Sequence, residues 1–314
     1  MRAIVTVTVN PAIDRTAWIE RLEPGTTHRT ATSRASIGGK GINVARTAAR
    51  LGAPVVALGI AGEDQAARIE QHLASAGIRA RFLAVEGETR TNLKLIEQLD
   101  GRMTEINGTG PEVSADVLQR LTDELFATVA RERPAAVVLA GSLPAGVPAD
   151  IYARWTHGLR RASGTGDRNR SGTKVIVDAS DEPLVLALDA HPFLVKPNRV
   201  EAGAILGRAV DGDEDARRAA RDLVARGPEA VLLSLGADGA VAAIGEVAEW
   251  IPAADVAASA GSLVTTVGAG DAMVARIAVE IARRDPAGAM TPTAFIAACR
   301  LAVEQAAAHI ATGA

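Results

Sequence analysis

Ala136-Val137-Val138-Leu139-Ala140 and Lys174-Val175-Ile176-Val177-Asp178 are short runs of aliphatic, mostly β-branched side chains, with an Ala/Arg/Leu-rich stretch at 148–161 between them. A strand that is apolar at successive positions has both faces covered, and two strands joined through a helix run parallel. Outward from this unit the rhythm repeats. Runs at 4–9, 54–59, 79–85, 193–196 and 230–235 read as strands, and stretches at 42–51, 64–76, 113–131, 184–190, 214–226, 271–284 and 293–309 read as helices. The expected fold is α/β: a mostly parallel sheet sandwiched by helices, one unit over residues 1–314.

Two segments, at about 14–37 and 88–106, break the rhythm. Thr91-Asn92-Leu93-Lys94-Leu95-Ile96-Glu97 alternates with period two. These segments are expected to form a small inserted β-sheet, either a lid over a site or hairpins on an edge. Residues 163–172 read as a polar, Gly-rich loop.

Lys and Arg total 34 against 37 Asp and Glu, a net charge of −3. That is no footprint for nucleic acid or an anionic membrane. At 48% apolar residues the chain can bury a sizeable core. The single cysteine, Cys299, excludes a disulfide framework and a Cys-ligated zinc, and a cytoplasmic setting is expected. The first residues read as a strand rather than a leader, and no run of 18 apolar residues marks a membrane span. The five histidines show no ligand spacing.

Ligands of open parallel sheets bind beyond the carboxyl ends of the strands. Asn10-Pro11, Gly141-Ser142-Leu143-Pro144, Pro197-Asn198 and Gly236-Ala237-Asp238-Gly239 all fall there. The sharpest segment is Gly268-Ala269-Gly270-Asp271, just ahead of a helix. Its backbone N–H groups offer an anion hole, and Asp271 can accept a proton from an attacking hydroxyl. The alternative is a tight turn with Asp271 as its cap. In Gly38-Gly39-Lys40-Gly41-Ile42-Asn43 the glycines allow close backbone approach, and Asn43 suits vicinal hydroxyls. It is not a Walker A loop, because Gly41 follows Lys40 where Ser or Thr is required. Asp14 can hold a sugar hydroxyl or serve as a turn residue. Arg29, Arg90 and Lys94 lie in the expected lid. The spacing of Arg90 and Lys94 puts both on one strand face, either as a phosphate clamp or as a solvated surface. In Asn198-x-x-Glu201 the carboxylate can hold Mg²⁺ through water or close a capping box. The segment 234–239 is a β-turn or a nucleotide-binding turn.

Taken in order, these segments resemble the ribokinase/PfkB family of sugar kinases over nearly the whole chain. Thr89-Arg90-Thr91-Asn92-Leu93-Lys94, Lys196-Pro197-Asn198-Arg199-Val200-Glu201 and Ser234-Leu235-Gly236 stand between the two glycine signatures. The resemblance implies a ribokinase-like fold with a β lid that contributes to a homodimer, and ATP- and Mg²⁺-dependent phosphoryl transfer to a sugar hydroxyl. Asp271 would be the base, and Gly268, Ala269 and Gly270 the anion hole. Asp14, Gly39, Lys40, Asn43, Arg90, Asn92 and Ser142 would meet the sugar, with Arg29 and Lys94 toward its far end. Lys196, Asn198, Ser234, Gly236 and Gly239 would lie near the nucleotide and Glu201 near Mg²⁺. The start Asn10-Pro11-Ala12-Ile13-Asp14, the Arg90–Lys94 run and Thr104-Glu105-Ile106-Asn107-Gly108 resemble the phosphosugar-kinase branch. That branch implies transfer to the 6-hydroxyl of fructose 1-phosphate. Kinases of tagatose 6-phosphate or fructose 6-phosphate, and a non-catalytic sugar-phosphate sensor, are the alternatives.

Overall fold

The computed structural model describes residues 1–30, 32–162, 172–254, 267–284 and 290–312. The Gly-rich stretch 163–171 and residues 265–266 lie outside the described residues. The strands are β1 (Ile4–Thr8), β2 (Ala12–Ile19), β3 (Thr32–Gly38), β4 (Val55–Gly62), β5 (Arg79–Val85), β6 (Thr91–Glu97) and β7 (Met103–Asn107). They continue as β8 (Ala136–Ala140), β9 (Lys174–Asp178), β10 (Leu194–Val195), β11 (Ala230–Ser234), β12 (Ala240–Ile244) and β13 (Val247–Ile251). The helices are α1 (Lys40–Arg50), α2 (Ala66–Ser75), α3 (Ala115–Glu132), α4 (Ile151–Ala162) and α5 (Asp181–Leu188). After them come α6 (Arg199–Leu206), α7 (Gly212–Ala225), α8 (Ala269–Arg283) and α9 (Pro292–Thr312).

The larger sheet has the order β13-β12-β11-β10-β9-β8-β1-β4-β5. It is parallel from β5 to β11, as the βαβ reading requires, and only β12 and β13 are antiparallel. Alternate strand residues feed two cores. Ile4, Val138 and Ile176 face α1, α8 and α9, while Val5, Val137 and Val177 face α3, α4 and α7. The helix α6 and the hairpin β12–β13 have no counterpart in the sequence reading. The two residues between β12 and β13 can only return the chain antiparallel, so the sheet is closed at that edge by a hairpin. The stretch 292–311 of α9 is long and apolar enough to cross a membrane by length and composition. In the fold that apolarity is used internally: Phe295, Ala298, Cys299 and Ala302 are buried where α9 packs on α8 and β12.

The segments that broke the rhythm form a second, four-stranded sheet, β3-β2-β6-β7. β2 pairs antiparallel with β3 and parallel with β6. In this register Ser36, Asp14 and Asn92 form one cross-strand row, and Arg34, Thr16 and Lys94 form the next on the same face. That face overhangs α1.

Candidate active site

Two helix N-termini meet at the carboxyl end of the main sheet. Gly268 caps α8 in the left-handed region (φ 83°), and the His309 ring occupies the space a Cβ would need, 2.7 Å from its ideal position. His309 Nε2 donates to the Val267 carbonyl at 2.9 Å, so the turn is held from α9. The N–H groups of the first turn of α8 have no intrahelical acceptor, which is the geometry the anion-hole expectation requires. Asp271 stands on that first turn, 7% exposed, and accepts from Asn43 Nδ2 at 2.8 Å. Asn43 is on the first turn of α1, which follows Gly39 and begins at Lys40.

Behind this pair lies a group that the sequence reading left out. Asp178 ends β9, is 1% exposed, and holds two ammonium groups, Lys40 Nζ at 3.0 Å and Lys196 Nζ at 3.5 Å. The only local signal was a carboxylate closing an otherwise apolar strand. Lys196 Nζ also lies 3.0 Å from where a Gly270 Cβ would stand, so a cation rests against the first turn of α8. Burial opposes the Asp178 charge, but Lys196 and Lys40 outweigh it and hold the carboxyl below its usual range. Burial likewise opposes the charge on Lys40, yet Asp178, Asp271 and Glu201 raise it above the ordinary lysine range. Asp271 is pushed the other way, up to about 6. Burial and the Asp178 charge outweigh the Asn43 hydrogen bond and the two lysines. Asp178 Oδ2 is buried without a partner, so the group has an unused acceptor.

On the lid side, Asp14 accepts from Asn92 Nδ2 at 2.9 Å and pairs with Lys94 Nζ at 3.4 Å. Its carboxylate lies flat on Gly38, where any Cβ would collide with it. Strand β6 begins at Thr91, so Arg90 falls at the lid root rather than on the Lys94 strand. Its guanidinium donates to the carbonyls of Pro11 and Gly108, both at 3.3 Å. Asn10 ties the same root to the main sheet, through the Thr109 carbonyl at 3.1 Å and Ser142 Oγ at 3.4 Å. Arg29 is not brought to this group. It adjoins Thr30, which bonds the Trp18 carbonyl, and Trp18 is four residues, roughly 13 Å, along β2 from Asp14.

Lys196 leads to the remaining candidates. Asn198 and Glu201 close a reciprocal capping box on α6, with Asn198 N donating to Glu201 Oε2 at 2.8 Å and Glu201 N donating to Asn198 Oδ1 at 2.9 Å. Ser180 Oγ donates to the other Glu201 oxygen at 2.7 Å. Ser234 bridges to Asn198 across the strands, and Gly236 and Gly239 flank a single 3₁₀ turn. No group of three or more His, Cys, Asp or Glu side chains is arranged around a metal position among the described residues. Both Glu201 oxygens already accept hydrogen bonds. The donor set therefore fits a Mg²⁺ carried by phosphates and water, with Glu201 in its outer sphere.

An open α/β sheet with two helix N-termini at its carboxyl edge and a β lid above them defines the class of ribokinase-like proteins. The chain belongs to the pfkB family of carbohydrate kinases, whose family profile matches residues 4–313. It is 39% identical over 281 residues to a 1-phosphofructokinase of Xanthomonas campestris pv. campestris, covering 88% of this chain and 83% of that one. It is 40% identical over 273 residues to a 1-phosphofructokinase of Haloferax volcanii, covering 86% and 81%. Among solved structures, phosphofructokinase-2 from Escherichia coli in complex with substrates and products superposes with a TM-score of 0.84 at 27% identity, over 99% of this chain and 93% of that one. A possible 1-phosphofructokinase from Thermotoga maritima gives 0.80 at 26% identity, over 98% and 92%.

Proposed function

We propose that this kinase transfers the γ-phosphoryl group of ATP to the 6-hydroxyl of fructose 1-phosphate. The observation that carries the chemistry is the buried Asp271 at the first turn of α8, raised to about 6 and held by Asn43 beside the Lys40–Asp178–Lys196 group. A carboxylate so placed is ionised at neutral pH yet more basic than an exposed one, as a general base should be. The named relatives supply the substrate.

Asp271 takes the proton of the 6-hydroxyl as its oxygen bonds to the γ-phosphorus. The bond from that phosphorus to the bridging oxygen breaks and ADP leaves. The N–H groups at Gly268, Ala269 and Gly270 receive the charge that grows on the phosphoryl oxygens, with Lys196 beside them. Asp14, Gly39, Lys40, Asn43, Asn92 and Ser142 orient the sugar, and Lys94 is the cation on the same lid face. Arg90 steadies the lid root. Asn198, Ser234, Gly236 and Gly239 face the nucleotide. Mg²⁺, held by Glu201 through water, would neutralise charge on the phosphates. The chain works as one unit with its lid inserted. It pairs with a second copy through the lid, whose exposed Met103 and Ile106 mark an outer strand, and acts in the cytoplasm.

The likeness to Escherichia coli phosphofructokinase-2 favours fructose 6-phosphate as the second reading. Purified protein with ATP and Mg²⁺, offered fructose 1-phosphate, fructose 6-phosphate and tagatose 6-phosphate in competition, should prefer the first. Preference for a 6-phosphate would replace the named substrate. Absence of turnover on all three would leave the sensor reading.

A further inference from the structure

The largest cleft of the site, about 410 Å³, runs from the first turns of α1 and α8 beneath the overhanging lid face, and Asn43, Val267, Gly268 and His309 line it. The sequence reading gave none of the five histidines a role. His309 reaches the cleft from the last turn of α9, 42 residues along the chain from Val267. The first bond of the α8 ladder runs from Ala272 N to Gly268 O at 2.9 Å. The Val267 carbonyl therefore lies ahead of the ladder, and it accepts from His309 Nε2 at 2.9 Å. A carbonyl oxygen only accepts, so the ring carries a hydrogen on Nε2. The same ring edge fills the space beside the Gly268 Cα, with Nε2 2.7 Å and Cε1 3.2 Å from the ideal Cβ position.

We propose that His309 is a positioning residue for phosphoryl transfer: its Nε2–H fixes the Val267–Gly268 peptide so that the Gly268 N–H, and not the Val267 carbonyl, is presented to the transferring group. The inference rests on the kinase reading above and deepens it. Carbonyl and N–H sit on one planar trans peptide and point opposite ways, so whatever holds the carbonyl also aims the N–H. Gly268 has no Cβ to restrain that plane, and at φ 83° it brings no side chain to cap α8. The restraint comes from α9 instead. A turned peptide would aim a carbonyl oxygen at the phosphoryl oxygens and exchange an attraction for a repulsion. A hydrogen bond at the carbonyl also polarises the N–H at the other end of the same amide, which strengthens it as a donor to growing negative charge. Neutral and protonated imidazole can both present Nε2–H, so the role needs no particular charge on the ring.

The test compares His309→Met and His309→Ala, which have no donor, with His309→Gln, whose amide N–H can serve the same carbonyl. Each is assayed with ATP, Mg²⁺ and whichever sugar phosphate the wild type prefers. The expected result is a kcat about 10- to 100-fold lower in the Met and Ala variants. That is less than the loss of about 10²–10³ on deleting an oxyanion-hole donor, because the N–H remains and loses only its aim. KM for ATP and for the sugar phosphate should stay within threefold. His309→Gln should return kcat to within about fivefold of wild type and keep the apparent pKa near 6 that belongs to Asp271. His309 is half-buried in the last turn of α9, and either donor-free variant suffices if the other does not fold. A kcat within twofold of wild type in a folded donor-free variant overturns the inference. So does a Gln variant as slow as the Met variant at the same melting temperature, which would leave the ring as packing against Gly268. Loss of the pKa near 6 in His309→Gln would make His309 the titrating group and overturn it as well. Unchanged variants of an active enzyme remove this inference alone, whereas a wild type that turns over no sugar phosphate removes the kinase reading and the inference with it.

Discussion

Replacing Asp271 by Asn separates catalysis from stability at one atom. The carboxyl is raised from 3.8 to about 6, so at pH 7 it is about nine-tenths ionised, and the protein maintains a buried charge it would favour protonating. The folded state binds more protons than the unfolded state between these two values. Stability therefore falls as pH rises from about 4 to 6, and the shift of about two units is worth roughly 3 kcal/mol above that window. Asparagine keeps the shape and an acceptor for Asn43, and it removes the penalty. It also removes the proton acceptor, which is worth about 10²–10⁴ in rate. The expected outcome is a kcat lowered by that factor with KM for the sugar phosphate within a few-fold, and a melting temperature at pH 8 equal to or a few degrees above wild type. Steady-state ADP release from pH 5 to 8.5 should rise with an apparent pKa near 6 in the wild type. Near-wild-type kcat in Asp271→Asn would refute the base assignment. A wild-type rate flat between pH 5 and 7, or a variant that melts well below wild type, would refute the electrostatic account.

Asp178→Asn leaves Lys40 and Lys196 without their shared anion and removes a charge that raises Asp271. The pH–rate profile should shift to lower pH while kcat/KM falls at least tenfold, and an unmoved profile would argue against the coupling. Gly268→Ala must place a Cβ against His309 at a φ of 83°, so unfolding in urea should show a loss of about 1–3 kcal/mol, together with a lower kcat. Glu201→Gln keeps an acceptor for Asn198 N, so the melting temperature should change little. The Mg²⁺ concentration giving half-maximal rate should rise several-fold, and no rise would remove Glu201 from the metal's surroundings.

The α/β architecture was legible because strands covered on both faces must be apolar at every position. The runs at 136–140 and 174–178 coincide with β8 and β9. The hairpin β12–β13 was not legible. Ala240-Val241-Ala242-Ala243-Ile244 has weak strand propensity, and it is a strand because β11 offers it an edge. The Arg90–Lys94 spacing was a sound strand argument. β6 itself begins at Thr91, but the Arg90 carbonyl still accepts from Ile13 N at 2.8 Å, and its guanidinium interacts with Asp14, the carboxylate that Lys94 pairs with.

By itself the sequence determined the order of elements, the inserted period-two segments and the residue types at the carboxyl edge of the sheet, since these follow from local periodicity and turn chemistry. Which of those residues meet was decided only in three dimensions. Asn43 and Asp271 touch across 228 residues of chain. Asp178 matters because two lysines from distant parts of the chain, Lys40 at the start of α1 and Lys196 just after β10, converge on it. Arg46 and Arg50, on a helix that could as well have faced solvent, line a cleft because β3 and β6 arch over them. Burial and the field of neighbouring charges, which set how basic Asp271 is, are properties of packing that no local pattern encodes.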